Sequence, residues 1–489
     1  MAEKDMKTMT ITSLFWKLFE QGGASVITLA VQVVMARLLA PAEFGMLAIM
    51  LVFVNVGNVI VQSGLNTALI QAPDATDRDC STVFWMSLVT SIVLYGAIFL
   101  AAPAIADFYA MPGLVAPLRV LVLILVINAY NAIQEALVAR RFEFRKTFRS
   151  TVTAGLVSGT LGVACALMGG GIWALVVQQL LYQLCKCVVL AMQVPWKPQL
   201  VFEPHRARVL FGFAWKLLVS GIINQVNQSV SDLIIGKQFT SAELGLVSQG
   251  KKYPYALGSL LDGAIQPVML SAVSRVQDSL ADVKRLARRA LKTSTFLIVP
   301  AMALFALVAR PVVELLLGEQ WLPCVPFLQT YCFIYAMLPI HTTNLQVLNG
   351  VGRSDLFLRL EIIKCLLGLG ILSFTAFVLR DLYAIVGGYV VNAVLATFVN
   401  AEPNRRVIGY AYLEQLRDIC PAFALAAVAF VAAAPVSLLG LPDIALVVVQ
   451  CLIMIAVYLG AAALFKVEEF SYIVATLREI MMKRSEKAE

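Results

Sequence analysis

Two apolar stretches near the start of the chain carry polar side chains along one helical face. In residues 44–69 the amides recur at i, i+3, i+7 and i+11, namely Asn55, Asn58, Gln62 and Asn66. In residues 12–36 the same kind of face holds Lys17, Gln21, Ser25, Thr28 and Gln32. This spacing places each set on one side of an α-helix. Amides, hydroxyls and ammonium groups arranged in this way can bind a ligand or hydrogen-bond to other helices.

Matching faces recur about two hundred residues later. In residues 244–272, the positions 200 residues after the α-helical amides of 44–69 hold Tyr255, Gly258, Asp262 and Gln266. Lys251, Lys252 and Ser259 lie on or beside this face. At an offset of 199, residues 209–235 place there Lys216, Ser220, Asn224, Asn227 and Ser231. Because lipid cannot satisfy such faces, they must point at one another or at water. They predict a hydrated cavity lined by four helices, and polar packing between helices is the alternative.

The charged members indicate what such a cavity would bind. Lys251 lies about ten residues along its helix, so roughly 15 Å deep at 1.5 Å per residue. Asp262 is three turns further on, too far for a direct bond. A buried cation without a partner on its own helix predicts an anionic substrate, with a salt bridge to another helix as the alternative. Glu20, which can neutralise Lys17, and Asp232 are candidate ion-coupling carboxylates.

The elements that position these residues are long apolar helices. The chain has 489 residues, of which 60% are hydrophobic and 14% charged, whereas a soluble protein carries about 25% charged residues. Blocks of about 20 apolar residues are long enough to cross a bilayer. We predict an all-α polytopic membrane protein with fourteen spans, near 12–36, 44–69, 83–107, 114–138, 151–168, 171–192, 209–235, 244–272, 293–317, 324–349, 357–379, 383–400, 419–436 and 443–465.

The basic residues predict the orientation. With a cytoplasmic N-terminus, 27 of the 38 lysines and arginines flank the spans on the cytoplasmic side. The opposite loops hold Arg37, Lys237 and Arg380. This split follows the positive-inside rule and places both termini in the cytoplasm.

The chain lacks the usual signatures of catalysis. The opposite loops are too short for a catalytic domain. The sequence has no Walker A motif, and its nine cysteines form no CxxC pair. We expect no enzyme activity, no metal and no cofactor. Nucleic-acid binding is not expected either, because the basic residues are spread over many membrane-flanking segments.

A hairpin sequence that occurs twice in the chain indicates an internal duplication. "ARLLAPAEFG" at 36–45 aligns with "GKQFTSAELG" at 236–245, so that Arg37 meets Lys237. Thr240 and Glu243 have capping-box spacing, which predicts a helix start outside the membrane. We therefore predict two parallel six-helix lobes, 1–200 and 201–405, then two further helices in 406–466 and a cytoplasmic tail at 467–489. Arg37 and Lys237 would stand at the outer gate of a cavity between the lobes.

Several stretches resemble the Wzx-type bacterial polysaccharide transporter family, which is related to the MATE and lipid II flippases of the MOP superfamily. They are "ARLLAPAEFG" (36–45), "ALVARRFEFR" (136–145), "QPVMLSAVSRVQ" (266–277), "LLGEQWLPCVPFLQ" (316–329) and "LNGVGRSD" (348–355). Where the family pattern leads us to expect a basic residue before the tryptophan of the fourth stretch, this chain has Gln320.

The resemblance implies a transporter without cofactors in the bacterial inner membrane. It would flip undecaprenyl-diphosphate-linked oligosaccharides by alternating access, for exopolysaccharide, capsule or O-antigen synthesis. Its partners would be this lipid-linked oligosaccharide, membrane lipids, a polysaccharide polymerase and a chain-length regulator, and the chain would act as a monomer. Two alternatives stay open: a MATE-like cation-coupled exporter, and an integral-membrane glycosyltransferase or polymerase.

Overall fold

The computed structural model describes residues 27–71 and 76–475. All the regular elements in these two ranges are helical, and none of their residues lies in a strand. This part of the chain is therefore all-α, as the sequence predicts. The helices group into two compact units, Met1–Gly245 and Leu246–Glu489, each with its own core.

The first unit is built on a set of long helices that pack side by side. α2 packs against α8 along most of its length, and α6 packs against α7. The helices of this unit are α1 (Ile27–Leu38), α2 (Pro41–Gln71), α3 (Asp77–Phe108), α4 (Val115–Leu121), α5 (Leu123–Arg141), α6 (Phe144–Leu167), α7 (Ile172–Gln193), α8 (Pro204–Gln238) and the first residues of α9 (Ser241–Arg275).

The second unit holds the remainder of α9 and the helices that follow. They are α10 (Leu280–Leu307), α11 (Ala309–Leu316), α12 (Val325–Ala336), α13 (Leu338–Gly350), α14 (Ser354–Ser373), α15 (Leu382–Val407), α16 (Tyr412–Ala433), α17 (Asp443–Leu464) and α18 at 468–475. α14 continues into a π-helical turn, Phe374–Leu379.

Eleven helical segments of the described ranges are long and apolar enough to cross a membrane, or twelve with the bent helix α8. α8 bends by 53° between Gly212 and Leu217. The predicted count of fourteen adds two spans. One is the first span, most of which lies outside the described residues, and the other is α9 (Ser241–Arg275), which is not among these segments. A polytopic membrane protein is confirmed, while the spans near 12–36 and 244–272 stay predictions.

The two halves of the chain show the same interruption of one span. In the first half, α4 gives way to α5 at Val122; in the second, α12 gives way to α13 at Met337. A short 3₁₀ helix precedes each pair, Pro112–Leu114 and Glu319–Cys324. This correspondence, like that of the hairpins, supports the duplication read from the sequence.

The helices that follow the two repeated hairpins begin with the same kind of hydrogen bond. The backbone N–H of Ala40 donates to Glu43 Oε2 at 2.8 Å, and that of Thr240 donates to Glu243 Oε2 at 2.8 Å. Glu243 N–H also donates to Thr240 Oγ1 at 3.2 Å, which completes the predicted capping box. α2 and α9 therefore begin exactly two hundred residues apart, at Pro41 and Ser241.

The core of the first unit lies near the end at which α3 and α8 begin. Phe84, Tyr130 and Trp196 stack edge to face or face to face with ring centroids 5.8 to 6.1 Å apart. Beside them, Arg206 donates to both carboxylate oxygens of Asp79, at 2.8 and 3.0 Å. This bidentate pair ties the start of α8 to the start of α3.

Candidate functional site

Part of the predicted site lies outside the described residues. Lys17, Glu20 and Gln21 lie outside the described residues, and the side chain of Lys216 is likewise not described. The other predicted residues lie on α1, α2 and α8 in the first unit and on α9 in the second. A cavity lined by all four helices stays a prediction, and each unit's share of it is taken in turn.

The amides of α2 divide into two groups. Asn58 accepts a hydrogen bond from Asn128 Nδ2 of α5 at 2.9 Å, so it holds two helices of its own unit together. Asn55 is exposed, and Gln62 is half-buried. The buried Oδ1 of Asn66 accepts no hydrogen bond from any described residue, and neither does the buried Oε1 of Gln32 on α1. The stripe thus combines one amide engaged in helix packing with others that are free to accept from a ligand or from water.

The predicted residues of α8 are mostly open. Asn224 and Asn227 are both exposed, and Asn224 Oδ1 accepts from Gln228 one turn further along at 3.1 Å. Asp232, a predicted ion-coupling carboxylate, is half-buried. An exposed run of amides inside a membrane helix needs water or a polar ligand beside it.

α9 carries two cations at neighbouring positions. Lys251 and Lys252 are both half-buried, and neither makes an ion pair or a hydrogen bond with a described residue. The predicted alternative, a salt bridge to another helix, is therefore not found within the described part of the chain. Two uncompensated ammonium groups favour an anionic ligand, which lysine binds as a point charge.

Asp262 has a buried place on the same helix. Its carboxylate is 7% exposed, accepts from the hydroxyl of Thr342 on α13, and accepts from Gln266 Nε2 at 3.0 Å. No lysine or arginine of the described residues pairs with it. A buried carboxylate held by two neutral donors can take up a proton or a small cation, so Asp262 joins the candidate ion-coupling groups.

Tyr255 belongs to an aromatic cluster that the sequence did not reveal. Its ring lies 5.7 Å from that of Tyr335, which stacks on Tyr331 at 6.2 Å, and Tyr331 lies 6.3 Å from Tyr389. Tyr255 itself is 54% exposed. The cluster gives the α9 face a rigid aromatic surface with a hydroxyl at its open edge.

The two hairpins, 36–45 and 236–245, lie against each other within the first unit. A Cβ built on Gly45 would lie 1.7 Å from the carbonyl oxygen of Ser241, and one built on Gly245 would lie 2.0 Å from that of Pro41. Further along, the added Cβ of Gly64 would lie 2.4 Å from the carbonyl oxygen of Ala214. α2 and α8 therefore run antiparallel, and the two repeated hairpins meet in a reciprocal contact that only glycine permits.

The predicted gate residues flank this contact. Lys237 donates from its Nζ to the carbonyl oxygen of Phe108, at the C-terminal end of α3, and its ammonium lies 4.3 Å from the Phe108 ring centroid. A cation is stabilised at that end of a helix by the helix dipole. Arg37 is exposed. Lys237 therefore helps to fasten the end of α8 to α3.

Comparison with known sequences decides the family. The model of the family described as "Polysaccharide biosynthesis protein" matches residues 34–326, more than half of the chain. The chain belongs to this family. The matched range begins just before the first hairpin and includes the second, so it covers both stretches in which the duplication is clearest.

This polysaccharide biosynthesis protein is similar to two named bacterial biosynthesis proteins. It is 23% identical over 416 residues to the succinoglycan biosynthesis transport protein ExoT of Rhizobium meliloti (strain 1021), covering 85% of this chain and 82% of that one. It is 21% identical over 397 residues to the lipopolysaccharide biosynthesis protein WzxC of Escherichia coli (strain K12), covering 79% of each.

Solved structures show the same fold. The lipid II flippase MurJ, in an inward closed conformation, superposes with a TM-score of 0.74 at 13% identity, covering 93% of this chain and 98% of that one. An inward-facing multidrug resistance MATE family transporter of the MOP superfamily gives 0.59 at 15% identity, covering 78% and 95%. The fold expected from the family resemblance is confirmed.

A polar network joins three helices in the second unit of this family member. Asn344 Nδ2 donates to Gln415 Oε1 at 2.8 Å, and Asn404 Nδ2 donates to Asn344 Oδ1 at 2.7 Å. His341 Nδ1 lies 2.9 Å from Asn400 Nδ2. These bonds join α13, α15 and α16, and the amides' positions one turn apart were the only sequence signal. The network fixes helix packing and leaves the α9 face free to bind.

Proposed function

We propose that this polysaccharide biosynthesis protein flips undecaprenyl-diphosphate-linked oligosaccharides across the bacterial inner membrane. The observation that carries the proposal is the α9 face, where Lys251 and Lys252 lack partners among the described residues beside the exposed Tyr255. The lysines would meet the diphosphate, and the tyrosine and nearby amides would hydrogen-bond sugar hydroxyls. Similarity to the succinoglycan biosynthesis transport protein ExoT and to the lipopolysaccharide biosynthesis protein WzxC supports this assignment.

The proposal includes the cavity and the route. The faces of α1, α2, α8 and α9 would line one hydrated space between lobes 1–200 and 201–405, opened alternately to each side. Both termini would be cytoplasmic, with fourteen spans, because the basic residues flank the spans on one side. The transporter would work as a monomer beside a polymerase and a chain-length regulator.

Cation export is less well supported than flipping. A MATE-like exporter of cations would be served by carboxylates facing the substrate, since opposite charges attract. On α9, Lys251 and Lys252 have no ion-pair partner among the described residues, whereas Asp262 is buried against Thr342. The face presented by α9 is therefore suited to an anion.

Deleting the gene and restoring it with variants tests the proposal. We expect the deletion to abolish the surface polysaccharide and to leave lipid-linked repeat units inside the cell. Lys251→Ala with Lys252→Ala should restore at most about one tenth of the polymer, since a hydrogen bond to a charged group contributes about 1.5–3 kcal/mol. Lys197→Ala removes an exposed loop lysine as a matched control and should restore it fully.

The outcomes separate the function from its site. Normal polymer in the deletion strain, with no lipid-linked intermediate inside, would contradict the flippase assignment. Full restoration by the double lysine variant would contradict only the role given to α9. Protein amounts in the membrane, measured by immunoblot, show whether a loss of polymer reflects misfolding.

A further inference from the structure

A groove in the second unit combines an arginine-lined end with an apolar body. It lies between α14 and α15, and its volume is about 880 Å³. Its charged end is closed by residues that precede α10 and α14, among them Gln277 and Arg353. No residue of the predicted substrate face lines it, so the groove is separate from the site described above.

Both walls change from charged to apolar along their helices. On α14, Leu356, Arg359, Leu360 and Ile363 occupy i, i+3, i+4 and i+7, one face of the helix. On α15, the face runs from Arg406 back through Glu402 and Val399 to Phe398. Arg359 and Arg406 therefore stand at the same end, together with Leu356 and Val407, and Ile363 and Phe398 stand toward the other end.

The charges of the groove do not cancel. Arg353 donates to both carboxylate oxygens of Asp355, at 2.9 and 3.1 Å. Arg359 and Arg406 are exposed and make no ion pair or hydrogen bond with a described residue. Glu402 is the one carboxylate among the lining residues. Two guanidinium groups are thus left for a negatively charged group, and arginine is well suited to phosphate because it can donate two parallel hydrogen bonds.

The apolar part of the groove lies at membrane depth. Phe398 is eight residues from Arg406 along α15, which is roughly 12 Å at 1.5 Å per residue. Ile363 is 44% exposed and Phe398 is 50% exposed. Both helices are apolar enough to cross a membrane. The groove therefore opens sideways, onto the hydrocarbon, just below its charged end.

We propose that this groove binds an anionic phospholipid from the leaflet on the side of the basic loops. Its phosphate would sit between Arg359 and Arg406, and one acyl chain would lie along Ile363 and Phe398. A free anion would make no use of the apolar walls, whereas a lipid with a negative headgroup satisfies both ends. Basic pockets between membrane helices are suited to anionic headgroups. The bound lipid would hold α14 and α15 together on the outer face of this unit.

Lipid retention by the purified full-length protein tests the proposal. Native mass spectrometry would follow phosphatidylglycerol and, separately, phosphatidylcholine. We expect phosphatidylglycerol to be retained preferentially. Arg359→Gln with Arg406→Gln should weaken its binding about tenfold to thirtyfold, since each basic residue near an anionic headgroup contributes about 1 kcal/mol. The matched control is Arg405→Gln with Arg417→Gln, which removes two exposed arginines that do not line the groove.

A second variant tests the apolar wall without changing the charge. Phe398→Ala should weaken phosphatidylglycerol binding about fivefold, because a half-buried ring contact is lost. Equal losses in the groove variant and its control would overturn the proposal, as would equal retention of phosphatidylcholine. Displacement of the phospholipid by inorganic phosphate alone would overturn it too, and displacement by undecaprenyl phosphate at equal concentration would assign the groove to the carrier lipid instead.

Discussion

A single methyl group at the contact between the two hairpins, 36–45 and 236–245, should force them apart. A Cβ at residue 45 would lie 1.7 Å from the carbonyl oxygen of Ser241, and one at residue 245 would lie 2.0 Å from that of Pro41. An ordinary contact begins at 3.4 Å. Each substitution to alanine therefore requires a backbone movement of roughly 1.5 Å, because the obstructing atoms are backbone atoms and cannot rotate away.

The size of the effect follows from overpacking. Forcing one extra carbon into a packed contact costs typically about 1–3 kcal/mol, and about 2 kcal/mol corresponds to a factor of roughly 30 in an equilibrium. Gly45→Ala and Gly245→Ala act on the same contact, so their effects should not add. If the hairpins close the outer end of the transporter, both variants should shift its population toward an open outer end.

Thiol labelling measures this shift. A cysteine placed at Gln238, exposed at the end of α8, would report on the hairpins through its rate of reaction with a membrane-impermeant maleimide. Cys420 is the exposed native cysteine of the described residues and would be replaced by serine. We expect labelling to be faster by about tenfold or more in Gly45→Ala, since a shift of 1.4 kcal/mol is a factor of ten.

The control is a glycine with free space around it. A Cβ added at Gly96 in α3 would meet nothing within 4 Å, so Gly96→Ala should leave labelling unchanged and should stabilise the protein slightly through its better helix propensity. Unchanged labelling and unchanged thermal stability in Gly45→Ala would refute the reasoning, because they would show that the hairpins do not need to touch.

Three further outcomes are expected. Asp262→Asn should fold with unchanged thermal stability but transport more slowly by about tenfold, because the amide keeps the size of the buried carboxylate and loses its charge. Asn128→Leu should lower the free energy of unfolding by about 1–3 kcal/mol, since it leaves the oxygen of Asn58 without a donor. The hydrogen bond from Lys292 lowers the pKa of Glu468. The attachment of α18 should therefore hold above a pH of about 4.3 and weaken as the pH falls below it. Proteolysis of the tail at pH 7 and pH 4 would measure this weakening, and Lys292→Ala should remove the difference between the two pH values.

The sequence predicted what depends on local spacing. The apolar blocks gave most helix positions within a few residues, and the spacing of Thr240 and Glu243 gave the start of α9. The same periodicity placed Lys251 and Tyr255 on one face of that helix. These features follow from the 3.6-residue turn and from capping chemistry, which are properties of the chain over a few residues.

Features that depend on distant packing could not be predicted. Whether Asn58 faces a cavity or bonds to another helix was undecidable until Asn128 was located, because both amides look alike in sequence. The break at Val122 arises inside a continuous apolar run with no breaking residue beside it, whereas Pro339 marks the helix start that follows the break at Met337. The contact of Gly45 with the second hairpin likewise joins residues two hundred positions apart.

Transport by the purified protein tests the central claim most directly. Proteoliposomes would contain the lipid-linked oligosaccharide of the producing organism, with an impermeant glycosidase outside to score the fraction of sugar exposed on the outer leaflet. We predict that the protein makes the inner-leaflet pool accessible and that Lys251→Ala with Lys252→Ala slows this step by about tenfold or more. An inner pool that stays protected at every protein concentration, while the protein remains folded, would contradict the account.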